Sequence, residues 1–196
     1  MSSRTVSRAA AAVVGVACVL AAAGAAAAAD TSKIDPIHSM VLWRVKHFGV
    51  GYIHGRFNDV AGVFTWDEAN PAASSLEVQL KAHGLDSGNP KRDQHLKGPD
   101  FFNVKEFPVI AFKSTGVRQL DAHSYEVTGE LTLHGISKPV TAKLEHVGSG
   151  KDPFGMYRTG FEATFTIKRS DFGMKAMLQG IGDEVRVTAA FEGIRQ

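Results

Sequence analysis

Apolar and polar residues alternate one for one in run after run of this chain. Val41, Trp43 and Val45 alternate with Leu42, Arg44 and Lys46. Val60, Gly62, Phe64 and Trp66 alternate with Ala61, Val63, Thr65 and Asp67, and Leu76, Val78, Leu80 and Ala82 with Glu77, Gln79, Lys81 and His83 on the wet face. The pattern returns at Ile110–Thr115, Tyr125–Leu133, Val140–Glu145, Phe161–Lys168 and Val185–Glu192. Successive side chains of a strand point to opposite faces, so each run reads as a strand with one apolar face. About eight such strands follow, joined mostly by short turns such as Glu68–Pro71 and Leu133–Gly135. Parallel strands would need helical crossovers and two apolar faces, so the sheet is mainly antiparallel. A sandwich and a closed barrel both bury a single face; about eight strands favour an up-and-down barrel, with the sandwich left open.

Three stretches break the alternation. Residues 90–97 are expected to form a short helix, stopped by Gly98-Pro99. A second helical turn is expected within Ser170–Leu178, and a third at Phe48–His54. Such pieces would cap the ends of a barrel.

The amino terminus does not share the pattern. Arg4 and Arg8 precede an apolar run from Ala9 to Leu20 and a nearly pure Ala tract ending at Ala29. This is the layout of a cleaved secretory signal peptide. Residues 1–29 are assigned to it, and residues 30–196 to a single domain. Removing 29 of the 196 residues leaves 167. Arg4, Arg8 and Cys18 go with the leader, so the 22 Lys+Arg fall to 20, against 20 Asp+Glu. A neutral, cysteine-free exported chain fits the periplasm of a Gram-negative bacterium. It gives no electrostatic case for nucleic acid, and no stable membrane insertion is expected after cleavage.

Catalytic patterns are missing. The eight His residues are scattered, with no His-x-x-x-His pair, so no metal site is expected. There is no Gly-x-Ser-x-Gly elbow and no phosphate-loop pattern. Asp171-Phe-Gly173 matches a kinase tripeptide without the motifs that accompany it. No catalytic residue is therefore assigned and no cofactor is required.

Binding has more support. An eight-stranded barrel is filled by its own side chains or holds one small ligand. The inward face carries Val41, Trp43, Val45, Phe64, Trp66, Val78, Leu80, Phe112, Leu131, Phe161, Phe165, Val187 and Phe191. Phe101 and Phe102 follow the short helix at an expected barrel end. Gly62, Ala82, Gly129, Ala142, Ala163 and Ala189 interrupt the large residues. They either accept a neighbour's bulk or line a cavity. A long hydrocarbon tail in such a cavity would gain about 0.8 kcal/mol per buried CH₂.

Specific strings add to the periodicity. Ile34-Asp-Pro-Ile-His-Ser39 followed by Val41, Trp43, Val45, His47 and Gly49 resembles the opening of the YceI-like family. Gly55-Arg-Phe57, Arg92–Leu96, Asp100–Asn103, Phe107–Ser114, Gly129–Lys138, Arg169–Met174 and Gly182–Val185 continue the resemblance over residues 33–193. It implies an all-β, eight-stranded antiparallel lipocalin-like barrel with one or two short helices at its ends. It also implies a periplasmic protein that binds isoprenoid lipid, of polyprenyl or isoprenoid-quinone type, in an inner tunnel. The lining residues above, with Phe101 and Phe102, are then the tunnel wall. Lys91, Arg92 and Lys97 are candidates for an anionic head group. Trp43 stands where Phe is commoner in the family, and its bulk would shorten the tunnel. Two other readings remain: an enzyme acting on an isoprenoid or quinone through His47, Asp93 and His38, or a filled barrel acting through its surface in stress or adhesion. A homodimer stays open.

Overall fold

The computed structural model describes residues 29–196, so the leader expected at residues 1–29 lies, apart from Ala29, outside the described residues. The strands are β1 (Asp30–Ile34), β2 (Met40–His47), β3 (Gly51–Phe57), β4 (Val60–Trp66), β5 (Ser75–Lys81) and β6 (Leu85–Asp86). After the helix α1 (Pro90–Leu96) come β7 (Val109–Gln119), β8 (Ser124–Leu133), β9 (Ile136–Lys151), β10 (Tyr157–Lys168) and β11 (Ile181–Arg195). Every pairing is antiparallel.

The ring closes because β1 and β2 act as one long strand broken in the middle. Both pair with β11, through Ile34 opposite Gly193 and Val41 opposite Ala189. The break is the 3-10 turn Pro36–His38, where Asp35 accepts the Ile37 N–H at 3.0 Å and Pro36 presets the first turn. β3 and β4 form a second broken strand, pairing with β2 and β1 respectively, and β5 and β6 a third. With β7 to β11 they make an eight-stranded up-and-down barrel, so the sandwich is excluded.

The strand parity read from the sequence is the parity observed. Val41, Trp43, Val45, Val60, Phe64, Leu80, Ile110, Tyr125, Val127, Leu131, Leu133, Phe161, Ile167, Val187 and Phe191 are buried in one core. A bulge between Ser114 and Gly116 in β7 resets the inward position to Val117. Gly129 is required by a close approach: a Cβ there would sit 2.5 Å from Phe112 Cζ.

The helix starts at Pro90, capped by Asn89, whose Oδ1 accepts the Arg92 N–H at 3.1 Å. The second expected helical piece is a 3-10 turn, Arg169–Phe172, ended by left-handed Gly173. The helical turn expected at Phe48–His54 is absent. The Val50 N–H donates to His47 O across Phe48 and Gly49, both at positive φ, within the three-residue hairpin connection 48–50 that leads into β3. Gly55 sits at an inward position between Ile53 and Phe57 and hides the strand alternation there. His83, expected on a wet strand face, is exposed in the 3-10 turn Ala82–Gly84.

Candidate functional site

The two ends of the barrel are packed differently. At the end holding the β4–β5, β7–β8 and β9–β10 connections, aromatic rings fill the bore. Trp66 meets Tyr125 and Phe161 edge-on, each at 4.7 Å between ring centres, and Phe64 meets Phe161 at 5.4 Å. His146 closes the same layer beside Trp66 at 5.7 Å. Burial pushes its imidazole below the usual histidine value, and its Nε2 lies 2.9 Å from Ser149 Oγ.

At the other end the bore is open. A cavity of about 490 Å³ lies under α1, the β2–β3 turn and the β10–β11 connection. That volume is within the range of small-molecule sites, roughly 300–1,000 Å³. Val41, Trp43, Val45, Ile53, Phe57, Leu133, Ile167 and Val185 are part of its wall. A smaller space of about 80 Å³ continues it toward the aromatic floor, sharing Val41, Leu80, Ile110, Leu131, Phe165 and Val187. From Val185 to Phe191 the two spaces follow about 20 Å of strand at ~3.3 Å per residue. The bore is therefore a blind apolar tube, stopped by the aromatic floor.

The polar groups of the wall gather at the open end: His47, Lys91, Arg92, His95 and Arg169. Arg92 donates from Nε to Ser87 Oγ at 2.8 Å and from Nη2 to Ser87 O, which fixes α1 against the barrel edge. Arg169 is 4% exposed and donates to three backbone carbonyls: Gly182 (2.9 Å), Met174 (2.8 Å) and Ile181 (2.9 Å). Burial lowers its pKa, opposed by the nearby charge of Asp183. A guanidinium carries five N–H donors, so Arg169 keeps two beyond these three bonds. Trp43 Nε1 is buried without a hydrogen-bonding partner.

The structure divides the predicted site residues into groups. Val41, Trp43, Val45, Leu80, Phe101, Phe102, Leu131, Phe165 and Val187 line the larger cavity, with Lys91 and Arg92 at its polar end. Val78, Phe112 and Phe191 line the smaller one. Phe64, Trp66 and Phe161 line neither, because they pack against each other and Tyr125 as the floor. Lys97 is also displaced from the cavity: it faces an outer groove with Pro90, Asp93, Asn103 and Lys105. Lys97, the residue that caps α1, is six residues after Lys91, about 240° further round the helix axis, so the two face different sides.

His47, Asp93 and His38 are not brought together. His47 lines the cavity, Asp93 accepts the Ser87 N–H at 2.8 Å outside it, and His38 pairs with Asp35 at 2.8 Å in the β1–β2 break. Among the described residues no group of three His, Cys, Asp or Glu side chains could hold a metal ion. No helix among them is long and apolar enough to cross a membrane.

Sequence reasoning missed several wall residues. Ile110, Leu133, Ile167 and Val185 share the inward parity of their strands and were legible from it. Ile53 falls within the helical turn expected at Phe48–His54, and Phe57 follows Gly55, where the alternation is interrupted. Arg169, Met174 and Met177 come from a connection with no period at all, and Ile181 opens β11 directly after it.

The fold has counterparts. The family model described as the YceI-like domain matches residues 33–193. A UPF0312 protein of Pseudomonas aeruginosa is 44% identical over 176 residues, covering 89% of this chain and 91% of its own. One from Pectobacterium carotovorum is 41% identical over 180 residues, covering 91% and 93%. Among solved structures, BcnA of Burkholderia cenocepacia superposes with a TM-score of 0.74 at 24% identity, over 81% of this chain and 98% of its own. A YCEI protein of Campylobacter jejuni gives 0.70 at 29% identity, over 77% and 90%. A polyisoprenoid binding domain from Saccharophagus degradans gives 0.68 at 13% identity, over 86% and 99%.

Proposed function

The chain belongs to the YceI-like family, and from that premise we propose that it binds one isoprenoid lipid, tail inward, in the barrel cavity and carries it through the periplasm. The observation that carries this reading is the form of the bore: a blind apolar tube with every polar wall group of the larger cavity at its open end. A tail entering it gains about 0.8 kcal/mol per CH₂ withdrawn from water. Branched isoprene units suit a wall of Val, Leu, Ile and Phe. Lys91, Arg92 and the spare donors of Arg169 suit the oxygens of a phosphate or a quinone ring. A neighbour of the same fold is described as a polyisoprenoid binding domain, which supports the ligand class. The expected leader supports the compartment.

The scattering of His38, His47 and Asp93 over three environments supports binding over turnover. The test is titration of the purified protein with a polyprenyl phosphate and with an isoprenoid quinone, read by quenching of Trp43 fluorescence and by calorimetry. Saturable binding at one site per chain is expected. No binding of either compound, or chemical conversion of the bound compound, contradicts the reading.

A further inference from the structure

The tips that surround the open end are apolar, strained and exposed. Phe48 is 62% exposed and Val50 89%, both in the β2–β3 turn. Across from them, Met177 is 53% and Leu178 41% exposed in the β10–β11 connection. The two tips are fastened together. The Phe48 N–H donates to Gly180 O at 2.7 Å, and the Phe48 ring leaves no room for a side chain at Gly180.

Phe48 and Met177 both hold left-handed backbone, at φ 47° and 54°, which disfavours large side chains. Asn or Gly would relieve that strain at a solvent-facing turn. Strain held on exposed apolar side chains marks a surface that meets something.

Charge identifies what it meets. Residues 43–55 carry Arg44, Lys46, His47 and His54 and no acidic residue. In the β10–β11 connection Lys175 neighbours the exposed Met177 and Leu178, and its one acidic residue, the exposed Asp171, precedes the buried Phe172. Asp183, just beyond the connection, is turned back onto the Ser170 N–H and hydroxyl at 2.9 and 2.8 Å. The connections at the floor end have the opposite character, with Asp67, Glu68, Asp121 and Asp152. Apolar tips with flanking cations are the signature of a surface that seats in the interface of an anionic bilayer. The rim is also continuous with the cavity, since His47 and Met177 belong to both.

We infer that the β2–β3 turn and the β10–β11 connection form a bilayer-docking rim, which sets the open end of the cavity against anionic lipid. This rests on the lipid-binding reading, because docking places the cavity mouth where a lipid tail can pass between membrane and barrel without crossing water.

The experiment is vesicle co-sedimentation. Vesicles of phosphatidylcholine alone are compared with vesicles of equal parts phosphatidylcholine and phosphatidylglycerol, neither containing isoprenoid lipid. The full chain is recovered as the expressing cells process it, so any leader is common to all variants. Wild-type protein should partition onto the anionic vesicles and be released by salt. Val50→Ser combined with Leu178→Ser, both exposed and outside the core, should weaken partition about tenfold, as expected for withdrawing two apolar side chains. Phe48→Ser should act in the same direction. Phe154→Ser, at the floor end and 86% exposed in wild type, should change nothing. Absence of vesicle binding, rim variants that match wild type, or an equal loss in Phe154→Ser overturns the inference. So does capture by a protein partner through the rim without vesicle binding. Quinone titration of the same variants separates the two readings: retained cavity binding without docking removes the rim alone, and loss of cavity binding in wild type removes the lipid-binding reading.

Discussion

A Cβ placed on Gly55 would lie 2.5 Å from Cε2 of the Trp43 indole, so β2 and β3 pair here only because position 55 has no side chain. The paired backbone thus holds a large ring against the cavity wall. Gly55→Ala should force Trp43 inward or part the hairpin, costing about 1–3 kcal/mol as overpacking does. Adding Trp43→Phe should recover most of that loss, because the smaller ring vacates the collision and removes an indole N–H that is buried without a partner. Urea denaturation of the two single variants and the double variant measures the coupling.

The same ring bears on ligand length. Trp43→Phe and Trp43→Ala should widen the cavity and favour longer or bulkier tails, with little effect on the head group. Competition among isoprenoid quinones of graded tail length reads this, and an unchanged order of preference counts against the tube.

Leu131 and Phe165 stand where the larger and smaller cavities meet. Leu131→Arg or Phe165→Arg should abolish lipid binding, since a buried guanidinium there has no partner. Phe161→Ala, in the floor, should instead cost about 3–5 kcal/mol of stability as a core deletion. Circular dichroism and titration of the three proteins separate loss of fold from loss of site.

Arg169 ties the β10–β11 connection to the barrel through three carbonyls. Arg169→Met leaves those acceptors buried and unpaired, with an expected loss of about 2–4 kcal/mol. Arg169→Lys keeps the charge without the planar fork and should fall between the two. If Arg169 also meets the head group, Arg169→Lys should weaken binding of a polyprenyl phosphate more than that of a quinone.

Acid should loosen the β1–β2 break. The Arg158 guanidinium and the His38 ring hold the Asp35 carboxyl at about 2, below its ordinary value of 3.8. A depressed carboxyl stabilises the fold fully above its unfolded value, and that stabilisation is lost as pH falls from near 4 to about 2. The loss should be about 2 kcal/mol, and Asp35→Asn should remove it from the acid limb of a stability profile. His146 acts in a higher window. Its pKa lies below 6.5, so its share of stability is present above that value and lost as pH falls below it.

Much of this architecture is legible in the sequence because barrel strands are wet on one side. The parity of Val41, Trp43 and Val45, or of Phe161, Ala163 and Phe165, needs no coordinates. Parity says which side chains point inward but not at what height. That is why Phe64, Trp66 and Phe161 were grouped with Val187, although they make the floor and Val187 the tube. Ring-on-ring packing is a tertiary choice with no local signature. Gly55 concealed β3 because the close approach of Trp43 replaced the apolar residue that would have completed the alternation. The wall residues of the β10–β11 connection answer to hydrogen bonds from Arg169, and no period announces those.

The most direct measurement is the mass of what the barrel carries. The protein is purified without detergent from the compartment to which cells deliver it, its mass is taken under native conditions, and bound lipid is extracted and identified. An isoprenoid lipid at one per chain, missing from Leu131→Arg, is the expected result. An empty wild-type barrel that also takes up no polyprenyl phosphate or quinone when offered, or one loaded only with straight-chain lipid, would contradict it.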